Sequence, residues 1–206
     1  PASWGVSYNR PLFTTPGNRP IYGAPAWQVN RRQGGNMVVF ATGMLLDDTD
    51  PADVSPGESI YGIWDPTPVG EPDELPFSTV LPSELLNQNV LPGAGDVGVD
   101  GNRFFRTSEN RYDPNVHKGW RMPLDRATGE RNIDQVRNLG PNVLIASTVI
   151  APPADPNAEM CRLSDLPTNY LYVLDAQSGS MARRALDRDG DGRLEAYGMV
   201  QVERGG

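Results

Sequence analysis

Residues 171–179 read Leu171-Tyr172-Val173-Leu174-Asp175-Ala176-Gln177-Ser178-Gly179. An apolar, aromatic run of strand length stops at an aspartate, and a glycine follows four positions later. The aspartate side chain can cap a tight turn, and the glycine supplies the positive φ before the chain returns. The pattern recurs. Trp120-Arg121-Met122-Pro123-Leu124-Asp125-Arg126-Ala127-Thr128-Gly129 gives a strand and then Leu-Asp-x-x-Thr-Gly. Ile60-Tyr61-Gly62-Ile63-Trp64-Asp65 is a third, degenerate copy without the Thr-Gly.

A larger unit surrounds these motifs. Val38–Gly43 is followed by a long acidic insertion and then by Ile60–Asp65. Val143–Val149 is followed by a Pro/Asp-rich insertion and then by Leu171–Asp175. Two antiparallel strands joined by an elaborated loop, used repeatedly, predict the blades of a β-propeller. An ordinary β-sandwich is the alternative. Only Ser83–Gln88 has the composition for a turn or two of helix, and it is short enough to be an edge strand instead. Blades take about 40–50 residues each, so 206 residues with insertions hold roughly three or four. Ring closure commonly takes about seven or eight blades. The expectation is therefore an all-β chain, residues 1–206, forming an incomplete arc of a larger propeller with at least one open strand edge.

Composition agrees with many short strands. Proline (20) and glycine (22) are scattered as punctuation between apolar runs. The formal net charge of -8 repels a phosphate backbone, which argues against nucleic acid as a partner. The basic residues are 17 Arg and a single lysine, Lys118, with no polybasic membrane patch among them, and no apolar run reaches the roughly 18 residues of a membrane span. A start at Pro1, with neither Met nor signal peptide, points to a mature product, a recombinant product or a piece of something longer. The single cysteine, Cys161, excludes an internal disulfide. It is read as a structural thiol or as a partner for missing chain. Glu159 and Asp165 nearby do not favour a thiolate nucleophile.

Asp187-Arg188-Asp189-Gly190-Asp191-Gly192-Arg193-Leu194-Glu195 carries the clearest chemistry. Carboxylates at positions 1, 3 and 5 of a tight loop can face one hard cation, and Ca²⁺ takes six to eight oxygens at about 2.3–2.6 Å. Gly192, at position 6, can turn the chain around the ion. Arg193, at position 7, would offer its carbonyl, and Glu195, at position 9, a carboxylate directly or through water. The predicted metal ligands are thus Asp187, Asp189, Asp191, Arg193 and Glu195. An EF-hand would need a bidentate Glu at position 12, where Gly198 stands. The flanks, Tyr170–Leu174 and Tyr197–Val200, read as strands, so the loop is expected inside a β-hairpin. The competing reading is a polar Asp/Gly turn without metal. A second cluster, Asp47, Asp48, Asp50 and Asp53, lacks the glycine turn and strict alternation and reads as a solvated loop.

Several segments together resemble the C-terminal propeller of the PilY/PilC family, type IV pilus tip-associated adhesins and biogenesis factors. Arg10-Pro11-Leu12-Phe13-Thr14 followed by Pro20-Ile21-Tyr22-Gly23-Ala24-Pro25 is similar to the family's KPLF…PIT-AP segment. Gly35–Gly43 resembles its G…MVYFGTG, and Ser59–Asp65 its S-[IL]-Y-G-I-W-D. Lys118-Gly119-Trp120 with Thr128-Gly129-Glu130-Arg131 resembles KGW…GER, and Leu174–Gly179 resembles LDA-TG. The resemblance spans nearly the whole chain. It implies a modified quinoprotein-like propeller and roles in pilus assembly and attachment, with loop-bound calcium controlling whether pili extend or retract. It also implies partners: minor pilins of the pilus tip, the remainder of the chain's own propeller, and a host or abiotic surface. The implied location is extracellular, at the pilus tip or bacterial surface, after passage through the periplasm.

An enzyme is the less favoured reading. His117 is the only histidine and has no positioned partner nearby in sequence for general-base work. A calcium-bearing quinoprotein dehydrogenase is the main alternative, because such propellers carry similar repeats, but no vicinal cysteine pair is present. A non-catalytic repeat scaffold of a matrix or filament is a third reading. Trp4, Trp27, Trp64 and Trp120 are expected in blade cores.

Overall fold

The computed structural model describes residues 10–46, 55–67, 78–150 and 167–202. The expectations for Trp4, for Cys161 and for the Asp47–Asp53 cluster lie outside these residues. In chain order the strands are β1 (Ala26–Val29), β2 (Asn36–Ala41), β3 (Ser59–Asp65), β4 (Leu85–Asn87), β5 (Asp96–Val97), β6 (Arg103–Phe105), β7 (Gly119–Pro123), β8 (Arg137–Leu139), β9 (Asn142–Val149), β10 (Thr168–Asp175) and β11 (Met199–Val202). The only helical pieces among the described residues are single 3₁₀ turns at Pro16–Asn18 and Pro82–Glu84. The Ser83–Gln88 segment thus divides. Its start completes a turn in which Glu84 accepts the Leu81 amide, and its end becomes β4.

Two sheets result. The first runs β1-β2-β3-β7-β4 and the second β5-β6-β11-β10-β9-β8. All pairings are antiparallel except β4 with β7. The two predicted strand pairs are present: Val38 lies opposite Ile63 in β2/β3, and Leu144 opposite Val173 in β9/β10. β3 and β10 each lie between two neighbours, as their near-continuous apolar runs require. Neither sheet closes into a barrel, and β1, β4, β5 and β8 stand at the sheet edges.

The second motif copy, at Trp120, joins the sheet of the degenerate third copy. The Trp120 strand does not begin a sheet of its own. β7 pairs with β3, so two of the three copies share one sheet, with Gly62 opposite Trp120. The described residues thus make two sheets, where the repeat spacing pointed to three or four blades. Repeat spacing counts strands that end in the same turn, and it is silent about which strand each one joins.

The sheets face one another across one apolar core. Met37, Val39, Ile60, Trp120 and Met122 come from the first sheet, and Val143, Ile145, Tyr172, Leu174 and Met199 from the second. Trp120 is the keystone of this contact. It is fully buried, and its indole Nε1 donates to the Ala176 carbonyl at 3.0 Å. A Cβ at Gly62 or at Gly179 would fall well inside van der Waals contact of the Trp120 ring. The repeat glycine therefore has two roles. Gly179 turns the chain at φ +65° and leaves room for the tryptophan of the other sheet.

The other tryptophans depart from the core expectation by degree. Trp64 is partly buried and donates to the Gly34 carbonyl at 2.8 Å. Trp27 is 57% exposed, because it sits on the outer face of the edge strand β1.

Candidate metal centre

Strand β10 ends in the predicted turn. Asp175 Oδ1 accepts from the amides of Gln177 (3.1 Å) and Ser178 (2.9 Å) and from the Ser178 hydroxyl (2.7 Å). The chain then runs out to a second aspartate loop and returns as β11, which pairs with β10. The loop thus lies between two antiparallel strands, not between helices. Its base is closed by an antiparallel bridge between Leu186 and Glu195, with the Glu195 amide donating to the Leu186 carbonyl at 2.7 Å.

Inside that base the backbone coils around the aspartates. Asp187 accepts from Gly190 N at 2.8 Å and from Gly192 N at 3.0 Å, one bond to each carboxylate oxygen. Asp191 Oδ1 accepts the Arg193 amide at 2.7 Å, and Asp189 Oδ1 the Asp191 amide at 3.4 Å. Gly190 and Gly192 both have positive φ, at 74° and 81°, which lets so short a loop wrap on itself. The outcome is that one carboxylate oxygen from each of Asp187, Asp189 and Asp191 lies within 4.8 Å of the others at the surface. A carboxylate has about four lone-pair sites. The amide bonds orient these groups and leave lone pairs over, so the three carboxylates can hold one cation.

Glu195 stands apart from this group. Its Oε2 pairs with Arg188 Nε at 3.2 Å, and Arg188 Nη2 lies 3.6 Å from Asp189. Glu195 is the largest cause that raises the Arg188 pKa. Arg193 likewise turns back toward Asp191, at 3.9 Å. Of the five predicted ligands, then, three converge, one is held by an arginine, and Arg193 lies on the loop through its amide bond. The sequence reading missed Arg188. It sits between two aspartates, where spacing gives it no role, and it neutralises part of the charge that the aspartates concentrate. The loop also rests on the turn between β5 and β6. The Val99 amide donates to the Arg188 carbonyl at 3.2 Å, and the Tyr197 hydroxyl donates to Asp96 at 2.7 Å.

The remaining titratable candidates have structural partners. His117 Nδ1 accepts the Asp113 amide at 3.0 Å. The Tyr112 hydroxyl donates to the His117 carbonyl at 2.7 Å, and burial pushes that phenol up to about 12. These bonds shape the loop that leads into β7. Glu130 was not singled out by the sequence beyond its place after Thr128-Gly129. It is buried, and its Oε1 accepts from Ser147 (2.5 Å) and Tyr172 (2.7 Å), while Oε2 accepts the Arg126 amide (2.8 Å). Burial raises its pKa above 4.5, against the opposing pull of those hydrogen bonds.

Neither a protein-family model nor a curated protein matches the chain. A solved structure does. The crystal structure of the Pseudomonas aeruginosa PilY1 C-terminal domain superposes on 95% of this chain with a TM-score of 0.75. The chain has the fold of part of the PilY1 C-terminal domain. Sequence identity is 21%, so the likeness is one of fold. The chain spans 42% of the PilY1 domain's length. The fold neighbour therefore agrees with the resemblance drawn from the short motifs. Among the described residues, no helix is long and apolar enough to cross a membrane.

Proposed function

We propose that this chain is the calcium-binding β-propeller portion of a type IV pilus tip-associated protein of PilY type. Likeness to the PilY1 C-terminal domain over 95% of the chain is the observation that carries this reading. In this account the two sheets are neighbouring blades, and open sheet edges such as β4 and β5 meet the remainder of the same propeller. The chain works as a binding and assembly module outside the cell, at the pilus tip, where it engages minor pilins and a surface. It is not an enzyme in this account.

Calcium is the proposed cofactor. Asp187, Asp189 and Asp191 supply the first oxygens, the Arg193 carbonyl another, and Glu195 a further carboxylate once it leaves Arg188. The converged aspartates support this assignment. With no carboxylate at position 12, affinity falls to the weak extracellular range, on the order of 10⁻⁵–10⁻³ M. Such a site fills and empties in outside fluid and is suited to switching pilus extension against retraction.

The test is genetic. The full-length gene carrying Asp189→Ala replaces the native copy, and surface pili are counted with and without millimolar calcium. The reading expects wild-type piliation to respond to calcium and the variant to lose that response. Piliation that is unaffected by deletion of the whole gene contradicts it.

A further inference from the structure

At one end of the two sheets, the connecting turns enclose a cleft of about 860 Å³. Four arginines line it. Arg32 comes from the turn between β1 and β2, Arg111 from the loop before β7, and Arg183 and Arg184 from the segment after β10. All four are exposed. Some arginines elsewhere pair with carboxylates, Arg19 with Glu58, Arg137 with Asp134 and Arg188 with Glu195, and others with backbone carbonyls, Arg103 with Ala94 and Arg126 with Gly93. Among the described residues the four cleft arginines have no such partner.

The local charge runs against that of the whole chain. Two carboxylates line the cleft, Glu109 and Asp175, so four arginines leave a formal excess of two positive charges in a chain of net charge -8. One Asp175 oxygen is already occupied with the turn after β10. Four guanidinium groups around one cavity repel each other unless an anion sits between them, and a cleft lined by one sign of charge focuses its field on such a ligand. Guanidinium forks match carboxylates bidentately.

The rest of the lining narrows the ligand class. Asn142 and Ser180 bring an amide and a hydroxyl to the cleft, groups that pair with sugar hydroxyls. The walls are turns and strand ends, so an extended peptide has no open strand to add to. A nucleic acid is disfavoured by the overall negative charge. The volume lies within the ordinary range of ligand pockets, about 300–1,000 Å³. We propose that this cleft binds an acidic saccharide, a short oligomer of uronic-acid sugars, with its carboxylates on Arg32, Arg111, Arg183 and Arg184. This goes beyond the calcium-loop reading and uses none of its ligands.

Calorimetry on the full-length protein tests it, at low salt and with a chelator present so that calcium does not bridge sugar to protein. The probes are trigalacturonate, its neutral methyl ester, inorganic phosphate and a hexaglutamate peptide. Trigalacturonate is expected to bind, with the methyl ester at least about tenfold weaker and affinity falling as salt rises. Arg111→Gln with Arg183→Gln should weaken binding at least about tenfold, each lost charge-assisted pair being worth that order. The side chains are exposed and unpaired, so the melting temperature should hold. If the double variant does not fold, Arg32→Gln alone should still weaken binding severalfold. Absent binding, or binding unchanged in a folded variant, overturns the proposal. Equal affinity for hexaglutamate makes the cleft a peptide site and overturns the saccharide assignment. Equal affinity for inorganic phosphate reduces it to a simple anion site and does the same.

Discussion

Two aspartate turns lie a dozen residues apart on the connection from β10 to β11, and they use the same chemistry to opposite ends. At Asp175 one carboxylate oxygen takes three donors, beside Gly179, which is packed against a buried tryptophan. At Asp187 the carboxylate takes two glycine amides and stays at the surface, beside two more aspartates. The first turn has spent its polarity on the fold. The second has concentrated charge that its own amides do not neutralise. Aspartate and glycine set turns in both, and the neighbours decide whether the turn is a hinge of the core or a surface group of carboxylates able to hold a cation. A third version stands at Gly129, in the second repeat copy. There the Arg126 amide is taken by Glu130, which reaches in from beyond the glycine and is itself buried.

The largest predicted effect breaks the core side of the comparison. Trp120→Ala removes the ring that joins the two sheets and leaves the Ala176 carbonyl without its indole donor. A loss of about 3–5 kcal/mol is expected in urea unfolding. A loss below 1 kcal/mol means that the sheets are held together elsewhere.

Gly179→Ala tests the glycine's double role. A left-handed backbone costs a non-glycine residue roughly 1–2 kcal/mol, and the added methyl must displace Trp120 at about 1–3 kcal/mol more. Gly192→Ala shares only the backbone penalty, because nothing lies within 4 Å of the added carbon. The glycine near the core should therefore be clearly the more sensitive of the two. Equal losses mean that the tryptophan contact contributes nothing.

Asp175→Ala should cost about 1–2 kcal/mol through its lost hydrogen bonds. Asp189→Ala, measured without calcium, should fall within about 0.5 kcal/mol of wild type, since it removes an exposed like charge. If Asp189→Ala destabilises as much as Asp175→Ala, the outer loop belongs to the fold in the same way as the inner turn.

Glu130 should give the most graded response. Its proton is held to higher pH in the folded state than in the unfolded chain, so the native state binds more protons above about 4.5. That term makes stability fall as pH rises through the window from 4.5 up to the raised value. Glu130→Gln lacks it, although its amide faces the Arg126 N–H and loses that bond. The stability of the variant relative to wild type should therefore rise between pH 4 and pH 7. A constant difference across that range contradicts the assignment.

What could be read in the sequence follows from the range of the interactions. The strands, the Asp175 turn and the position of the aspartate loop between β10 and β11 all rest on neighbours in the chain, and those expectations match the structure. The pairing of β7 with β3 rests on contacts across about sixty residues, and no local pattern carries it. The exposure of Trp27 depends on β1 being an edge, which is a property of the whole sheet. Spacing alone marks Glu195 as a ligand. Arg188 holds it away, and that competition needs side-chain geometry to be seen. The arginine cleft gathers positions 32, 111, 183 and 184, which only the folded chain brings together.

The difference between the two aspartate turns comes down to whether the outer one takes calcium. Calorimetry of the complete protein with calcium, for wild type and for Asp189→Ala, addresses this most directly. One site with a dissociation constant on the order of 10⁻⁵–10⁻³ M is expected in wild type, with binding weakened at least about tenfold in the variant. Calcium at ten times that constant should then stabilise the wild-type fold by about 1.4 kcal/mol. No calcium-dependent heat at millimolar ion, or the same heat from both proteins, contradicts it.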